Sequence, residues 1–346
     1  MANRVLLVGN PTAQSGKAKA RITKALDVLD GRGMTADLLH TEPEGRTVEV
    51  LRERLDRPGS AIELVISLGG DGTFAEVAKG VLAAAELRQM GLLPSGTANN
   101  QGGSFGLSSD AAAIPANVDV IAAGHVTWLD VGQAERLDER GETTHQELFF
   151  DCLGWGFSAD VLQQRNRSRD IVRRIPVLRE VYRDQAVYAG AALRKVVESW
   201  LEPTKFDVQV TSHGVHHRLT ALTDLVINNT PLYAGEWILD RDTEPDDGRM
   251  ELVPVKGRRE MLSKVIRDFS HVPVWQEHLD ALGVHHSQGY SADLFELTLS
   301  RPGRFEVPSQ LDGEEWVAGD RFRVRVQPNR LPLLTPPEFV PGWRRG

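Results

Sequence analysis

The feature that most constrains the fold of this chain is a rhythm in its first 125 or so residues. Short apolar runs alternate with amphipathic stretches, and the runs end in glycine and small polar residues. Residues 5–8, 35–39, 64–68 and 91–93 have the length and composition of buried strands. Residues 18–29 place Ile22, Ala25, Leu26 and Leu29 on one helical stripe, and 47–55 and 74–87 read as helices likewise. Such alternation marks a parallel sheet covered on both faces. From Val126 the texture changes to extended runs at 206–210, 221–227, 250–255, 294–299 and 322–326, punctuated by Gly, Pro, Asp and Asn, which predict a β-sandwich-like unit. A length of 346 residues exceeds what one core usually serves. The expected fold class is therefore α/β, with an α/β domain over 1–125 and a β-rich domain over 126–346, the extreme C-terminus packing back on the first. Residues 171–201 interrupt the β-rich half with helical periodicity, several arginines and the aromatics Tyr182, Tyr188 and Trp200; they read as a solvated helical hairpin or as a basic membrane-facing surface.

Composition closes off several functions. A formal net charge of −8 leaves no dominant basic face for nucleic acid, which is not expected as a partner. Cys152 is the sole cysteine, so there is no internal disulfide, no cysteine-based zinc site and no CxxC redox pair, in keeping with a reducing cytoplasm. No run of ~18 apolar residues is present to span a bilayer, and residues 5–8 are too short a run for a signal peptide. His216-His217 and His285-His286 are adjacent pairs that a strand would direct to opposite faces, so joint chelation of a metal is not expected. Asp246-Asp247-Gly248 reads most simply as a turn before the strand at 250–255.

Three clusters follow strands at what would be one edge of the sheet. Asn10-Pro-Thr-Ala-Gln-Ser-Gly-Lys17 lies between a strand and a helix, where free N–H groups and the positive helix end favour an anion, though its spacing does not match a Walker A loop. Gly69-Gly-Asp-Gly-Thr73 opens the next helix. Its three glycines let backbone approach phosphate oxygens, Asp71 can hold Mg²⁺ directly or through water, and Thr73 offers a hydroxyl. Pro94-Ser-Gly-Thr-Ala-Asn-Asn-Gln-Gly-Gly-Ser104 is rich in small hydrogen-bonding residues. In open parallel sheets ligands bind beyond the carboxyl ends of the strands, so the three loops are expected to line one crevice.

In order and spacing, NPTAQSGK, GGDGT with Glu76 just after it, and PSGTANN resemble the catalytic domain of diacylglycerol kinases, a family that includes bacterial lipid kinases and sphingosine or ceramide kinases. The resemblance continues through Trp128-Leu-Asp-Val-Gly132, Leu153-Gly-Trp-Gly-Phe-Ser158, Pro245-Asp-Asp-Gly-Arg-Met-Glu-Leu252 and Gln310-Leu-Asp-Gly-Glu314. It implies an NAD kinase/diacylglycerol kinase-like fold and a kinase that phosphorylates a lipid hydroxyl from ATP with Mg. The first domain would bind ATP and the second the lipid. Asn10, Ser15, Gly16, Lys17, Thr41, Gly69, Gly70, Asp71, Gly72, Thr73, Gly96, Thr97, Ala98 and Asn99 would contact the nucleotide. Asp71 and Asp130, with Asn100, would organise the metal. Glu314 would be the general base, with Asp312 beside it. On the residues alone, Asp312-Gly313 is equally a hairpin-turn signal.

Two positions depart from the family pattern. Asn100 stands where many members carry Asp, and an amide brings an oxygen ligand but no charge; Ser158 stands where many relatives carry Asp, which argues against an amine-bearing substrate. A lipid acceptor implies peripheral contact of a cytoplasmic protein with the membrane surface. An NAD kinase-like enzyme for a soluble substrate and a non-catalytic nucleotide-binding regulator are the rival readings. Which lipid is the acceptor, and the oligomeric state, are not legible in the sequence.

Overall fold

The computed structural model of the chain describes residues 4–11, 17–96, 98–160, 162–163, 205–233, 237–238, 240, 242–257, 260, 287–303 and 306–337. The helical stretch at 171–201, with Tyr182, Tyr188 and Trp200, and the pair His285-His286 lie outside the described residues.

The N-terminal half runs β1 (Arg4–Gly9), α1 (Lys17–Gly31), β2 (Thr35–His40), α2 (Thr47–Leu55), β3 (Leu64–Gly69), α3 (Asp71–Ala83), β4 (Gln89–Pro94), α4 (Asn100–Ser104) and α5 (Ile114–Ala123). Strands β2-β1-β3-β4 are parallel in that order. β1, β3 and β4 are nearly continuous apolar runs because both their faces are covered, as parallel strands require. On one face Ile22, Ala25 and Leu29 of α1 and Val118 and Ile121 of α5 meet Val5, Leu7 and Ile66. On the other, Leu51 and Leu55 of α2 and Phe74, Val77 and Val81 of α3 meet Leu6, Val8 and Val65.

The C-terminal half comprises β5 (Val126–Leu137), β6 (Thr143–Phe149), β7 (Cys152–Gly156), β8 (Phe206–Ser212), β9 (Val215–Leu222), β10 (Asp224–Asn228), β11 (Leu232–Tyr233), β12 (Trp237–Ile238), β13 (Met250–Val255), β14 (Tyr290–Ala292), β15 (Leu294–Ser300), β16 (Ser309–Leu311), β17 (Glu314–Glu315) and β18 (Arg321–Leu334). Among the described residues one sheet holds β14-β13-β10-β7-β16-β17. The other continues the parallel sheet as β4-β18-β15-β8-β9, with β5 and β6 attached. The two pack face to face. Phe206, Val208, Phe295 and Phe322 from one sheet and Leu153, Trp155, Ile227 and Leu252 from the other form a single buried cluster, with Trp155 edge-on to Phe322 at 5.2 Å between centroids. This is the expected α/β fold: a helix-covered parallel sheet joined to a β-sandwich.

β18 makes the join. Residues 321–325 pair with β15, Leu333 pairs in parallel with Met90 of β4, and β5 lies antiparallel along both parts across a bulge between Gln327 and Leu331.

Two readings of the pattern are corrected. Residues 221–227 read as one strand but are the end of β9 and the start of β10, which lie in different sheets. Ala221 takes a left-handed φ of 57°, held by its N–H donating to Asp207 Oδ1 at 2.9 Å, and the chain crosses between sheets there. The helix expected over 74–87 begins at Asp71 and ends at Ala83, where Ala84 is extended and the N–H of Ala85 donates to Asp56 Oδ1. Asp246-Asp247-Gly248 is a turn before β13, as expected, with Gly248 at φ 77°.

β5 approaches β6 closely at Gly132, where an added Cβ would lie 2.2 Å from the ring of fully buried Phe149. Gly132→Ala is therefore expected to destabilise the protein by about 1–3 kcal/mol in urea unfolding, and Gly132→Ala/Phe149→Leu to recover part of that loss.

Candidate functional site

The parallel strands end in step. Gly9 lies opposite His40 and Leu68, and Gly69 opposite Pro94, so the segments that follow leave the sheet along one edge. Asn10, Thr41, Gly70 and Ser95 stand on that edge. The N–H of Thr41 donates to Gly9 O at 3.2 Å, and that of Ser95 to Gly69 O at 2.7 Å. This is where an open parallel sheet presents ligand-binding backbone.

The second and third glycine-rich loops touch. A Cβ on Gly96 would lie 2.5 Å from Gly70 Cα, and one on Gly69 would lie 2.4 Å from Thr73 Cβ. Glycine is required for this contact because the opposing atoms at Gly70 are backbone and cannot rotate away. Asn99, at φ 55°, locks the third loop: its Oδ1 accepts the N–H of Gly96 at 2.6 Å and its Nδ2 donates to Gly96 O at 2.8 Å. Asparagine tolerates this left-handed backbone better than most residues. Asp71 joins the two loops, its Oδ1 accepting the N–H of Gln101 at 3.1 Å. The structure thus brings together Asn10, Thr41, the segment from Gly69 to Thr73, Gly96, Ala98, Asn99 and Asn100. Ser15, Gly16, Thr97 and the side chain of Lys17 lie outside the described residues.

The second sheet supplies acids to the same place. Asp312 and Gly313, at φ 49° and 78°, form the two-residue turn between β16 and β17, where Leu311 pairs with Glu314. These are the backbone angles that favour Asp-Gly in a tight hairpin, and the turn aims the Asp312 carboxylate inward. It accepts the N–H groups of Phe150 at 3.0 Å, Asp151 at 2.8 Å and Cys152 at 3.1 Å. Burial pushes the Asp312 carboxyl up to about 6, although those N–H groups and the Lys79 ammonium favour its charged form. Glu314, two residues on, is exposed.

Asp151 sits between the sheets. Its Oδ2 accepts from Asn100 Nδ2 and its Oδ1 from Thr230 Oγ1, each at 2.5 Å. Its own carbonyl accepts the N–H of Asn229 at 2.8 Å. Burial, then the charges of Asp312 and Asp71, push its carboxyl well up, while the bonds from Thr230 and Asn100 act the other way. The reading by motif missed Asp151, Asn229 and Thr230. The available signals were an acid inside the apolar run Phe149-Phe150-Asp151-Cys152-Leu153, and the polar triplet closing an apolar strand at Asn228-Asn229-Thr230.

Asp130 is buried on β5, and both its oxygens accept backbone N–H groups: Oδ1 that of Asn329 at 2.8 Å and Oδ2 that of Gly248 at 2.5 Å. Burial raises its carboxyl, with Asp247 and Asp246 adding to the rise. Among the described residues no three or more His, Cys, Asp or Glu side chains converge as a metal cluster.

Ser158 also meets a buried acid. Its Oγ and N–H donate to Asp224 Oδ1 at 2.9 and 3.3 Å, and burial raises the Asp224 carboxyl to about 7.

With this geometry in hand, comparison with known proteins is specific. Residues 4–134 match the family model of the diacylglycerol kinase catalytic domain. A diacylglycerol kinase of Staphylococcus epidermidis (strain ATCC 35984) is 32% identical over 133 residues, 38% of this chain and 40% of that protein. One of Staphylococcus aureus (strain Newman) is 31% identical over 134 residues, again 38% and 40%. These alignments therefore span about 40% of the relatives' own length. A diacylglycerol kinase structure from Bacillus anthracis str. Sterne superposes over 98% of both chains with a TM-score of 0.67 at 17% identity, a likeness of fold. Yeast NADH kinase, solved in complex with NADH, superposes over 99% of this chain and 85% of its own with a TM-score of 0.52 at 10% identity. Residues 4–134 are thus similar to a diacylglycerol kinase catalytic domain, and the whole chain has a fold like those of the Bacillus anthracis diacylglycerol kinase and yeast NADH kinase structures.

Two outcomes test this geometry. Asp312→Asn replaces an all-acceptor carboxylate with an amide facing three N–H groups, so it is expected to lower stability by about 1–3 kcal/mol in urea unfolding. Asp224 holds its proton in the folded state up to about pH 7, whereas an unfolded aspartate loses it near pH ~4. Its contribution is present below that lower value and lost as pH rises to the upper one. Asp224→Asn should accordingly gain on the wild type by up to about 4 kcal/mol between pH 4 and pH 8, read from urea unfolding at both.

Proposed function

We propose that this protein is a kinase that transfers the γ-phosphate of ATP to a hydroxyl of a diacylglycerol-like lipid. The observation that carries the reading is the meeting, at one sheet edge, of two interlocked glycine loops and an acid-bearing hairpin from the second sheet. The glycine loops offer main-chain N–H groups to phosphate oxygens. The hairpin presents a carboxylate able to take a proton from an alcohol. The catalytic-domain match over residues 4–134 supports the same reading.

In this scheme the backbone of Gly69, Gly70, Gly72, Gly96, Ala98 and Asn99 cradles the phosphates. Asn10, Thr41 and Thr73 bond to the nucleotide from the same edge, together with Ser15, Gly16, Lys17 and Thr97. Magnesium fits the donors present: the carboxylate of Asp71 and the amide oxygen of Asn100 are hard oxygen ligands. This ion characteristically takes one or two carboxylates and completes its shell with water and substrate phosphates, so a dense acidic cage is not required. Asp130, whose oxygens accept the N–H groups of Gly248 and Asn329, would complete the set with the lone pair that each retains. When bound, the ion neutralises charge on the transferring group.

Glu314, exposed at the hairpin tip, receives the proton of the acceptor hydroxyl, while Asp312 fixes the hairpin against residues 150–152. Among the described residues no helix is long and apolar enough to cross a membrane. A lipid acceptor would thus be taken from the membrane surface, by peripheral contact of a cytoplasmic protein.

The test is transfer of labelled γ-phosphate from Mg-ATP to a panel of lipid alcohols in mixed micelles, with NAD⁺ as a soluble control acceptor. Label on lipid, reduced about 10²–10⁴-fold by Glu314→Gln with the melting temperature unchanged, is the expected result. Label on NAD⁺ instead, or tight ATP binding with no labelled product, would overturn it.

A further inference from the structure

We propose that Asp151 is a positioning residue of this site, and that it acts with Asn100 as one carboxylate–amide unit; the proposal rests on the kinase reading above. Asp151 is a junction. Its side chain bonds Asn100 from the parallel-sheet side and Thr230 from the end of β10, its N–H donates to Asp312 in the acid hairpin, and its carbonyl accepts from Asn229. The next residue after Asn100, Gln101, gives its N–H to Asp71. A connected path therefore runs from the acid hairpin through Asp151 and the start of α4 to the carboxylate of the GGDGT loop.

The chemistry of the pair explains why residue 151 is an acid. An amide has two ends that are alike in shape and opposite in hydrogen-bonding character, so its orientation must be specified by its partner. At Asp151 both oxygens accept, Oδ2 from Asn100 and Oδ1 from Thr230, and these bonds favour the charged form that burial opposes. Facing Asp151, the Asn100 amide holds its nitrogen toward β7 and its oxygen on the opposite side, and the Thr230 hydroxyl is likewise obliged to donate. An asparagine at 151 would still bond to both partners but would permit either orientation of Asn100. A purely structural contact would be served as well by that amide, without placing an acid whose charged form burial, Asp312 and Asp71 all disfavour.

Four forms decide the matter: wild type, Asn100→Asp, Asp151→Asn and the reciprocal exchange Asn100→Asp/Asp151→Asn. Each is measured for melting temperature, ATP affinity by equilibrium dialysis with Mg²⁺, and γ-phosphate transfer. Asn100→Asp sets two buried carboxyls against each other, which can bond only by sharing a proton, and should lower all three. Asp151→Asn should remain folded while ATP affinity weakens at least ~5-fold and kcat falls at least ~10-fold. The exchange restores one carboxylate facing one amide, and should return affinity and kcat to within ~3-fold of wild type, a non-additivity expected only of a directly coupled pair. Wild-type behaviour of Asp151→Asn would overturn the proposal. So would an exchange that regains melting temperature alone, since the pair would then be structural. Absence of transfer by the wild type would sink the kinase reading separately, and the ATP affinities of the four forms would still judge the pair.

Discussion

The two pairings of β18 are the constraint on which the rest of the molecule depends. A helix-covered parallel sheet and an antiparallel sandwich have separate cores, and each would tolerate many placements of the other. β18 removes that freedom because its last residues extend the parallel sheet beyond β4 while residues 321–325 lie between β15 and β5 in the sandwich. One ladder of main-chain bonds therefore fixes the distance from the glycine loops to the acid hairpin. The bulge between the two parts is the weak point of that ladder, since bulged residues leave donors without a cross-strand partner. Asp130 meets this need: one of its oxygens takes the N–H of Asn329 in the bulge and the other that of Gly248 in the turn before β13. A buried carboxylate is tolerated because backbone donors surround it, and removing it would leave those donors unpaired.

The two positions that lack an expected acid share one solution. Asn100 and Ser158 are both uncharged, yet each donates a hydrogen bond to a buried aspartate from the β7 and β10 region, Asp151 and Asp224 respectively. Reading either position alone suggests a site stripped of charge. Reading it with its partner shows a buried acid one hydrogen bond away, whose charged form burial disfavours. The electrostatic character of such a site belongs to the pair, because at these separations the two groups share one polar environment.

Much of this was legible in the sequence, for identifiable reasons. β1, β3 and β4 announce themselves because covering both faces leaves no polar alternation to confuse the pattern. The glycine loops announce themselves because close backbone approach, as between Gly70 and Gly96, excludes other residues. The Asp312-Gly313 signal held two meanings, and the structure gives it the turn geometry as well as a place at the site edge. What was not legible depends on contacts remote in the chain. Asp151 meets Asn100 across 51 positions and Thr230 across 79, distances over which a spacing carries no information. The break between β9 and β10 was hidden because its left-handed residue is Ala221, where glycine or asparagine would have marked it.

The charge of the site has a further consequence. Asp71, Asp151 and Asp312 are close enough that each raises or is raised by another, and the described cation beside them, Lys79, is itself bonded to Glu147 at 2.9 Å. On the kinase reading, a phosphate group entering this edge would meet these acids beside a cation that is already paired. The favourable contributions would then be main-chain N–H groups, which the glycines allow to approach closely, the polar side chains of Asn10, Thr41 and Thr73, and a cation carried in with the ligand. Such a balance would account for the locking of the loops by Asn99 and by the Asp71–Gln101 bond. Backbone donors act on a phosphate only within hydrogen-bond distance, so a displacement of ~1 Å that a lysine could follow would leave a glycine loop without its ligand.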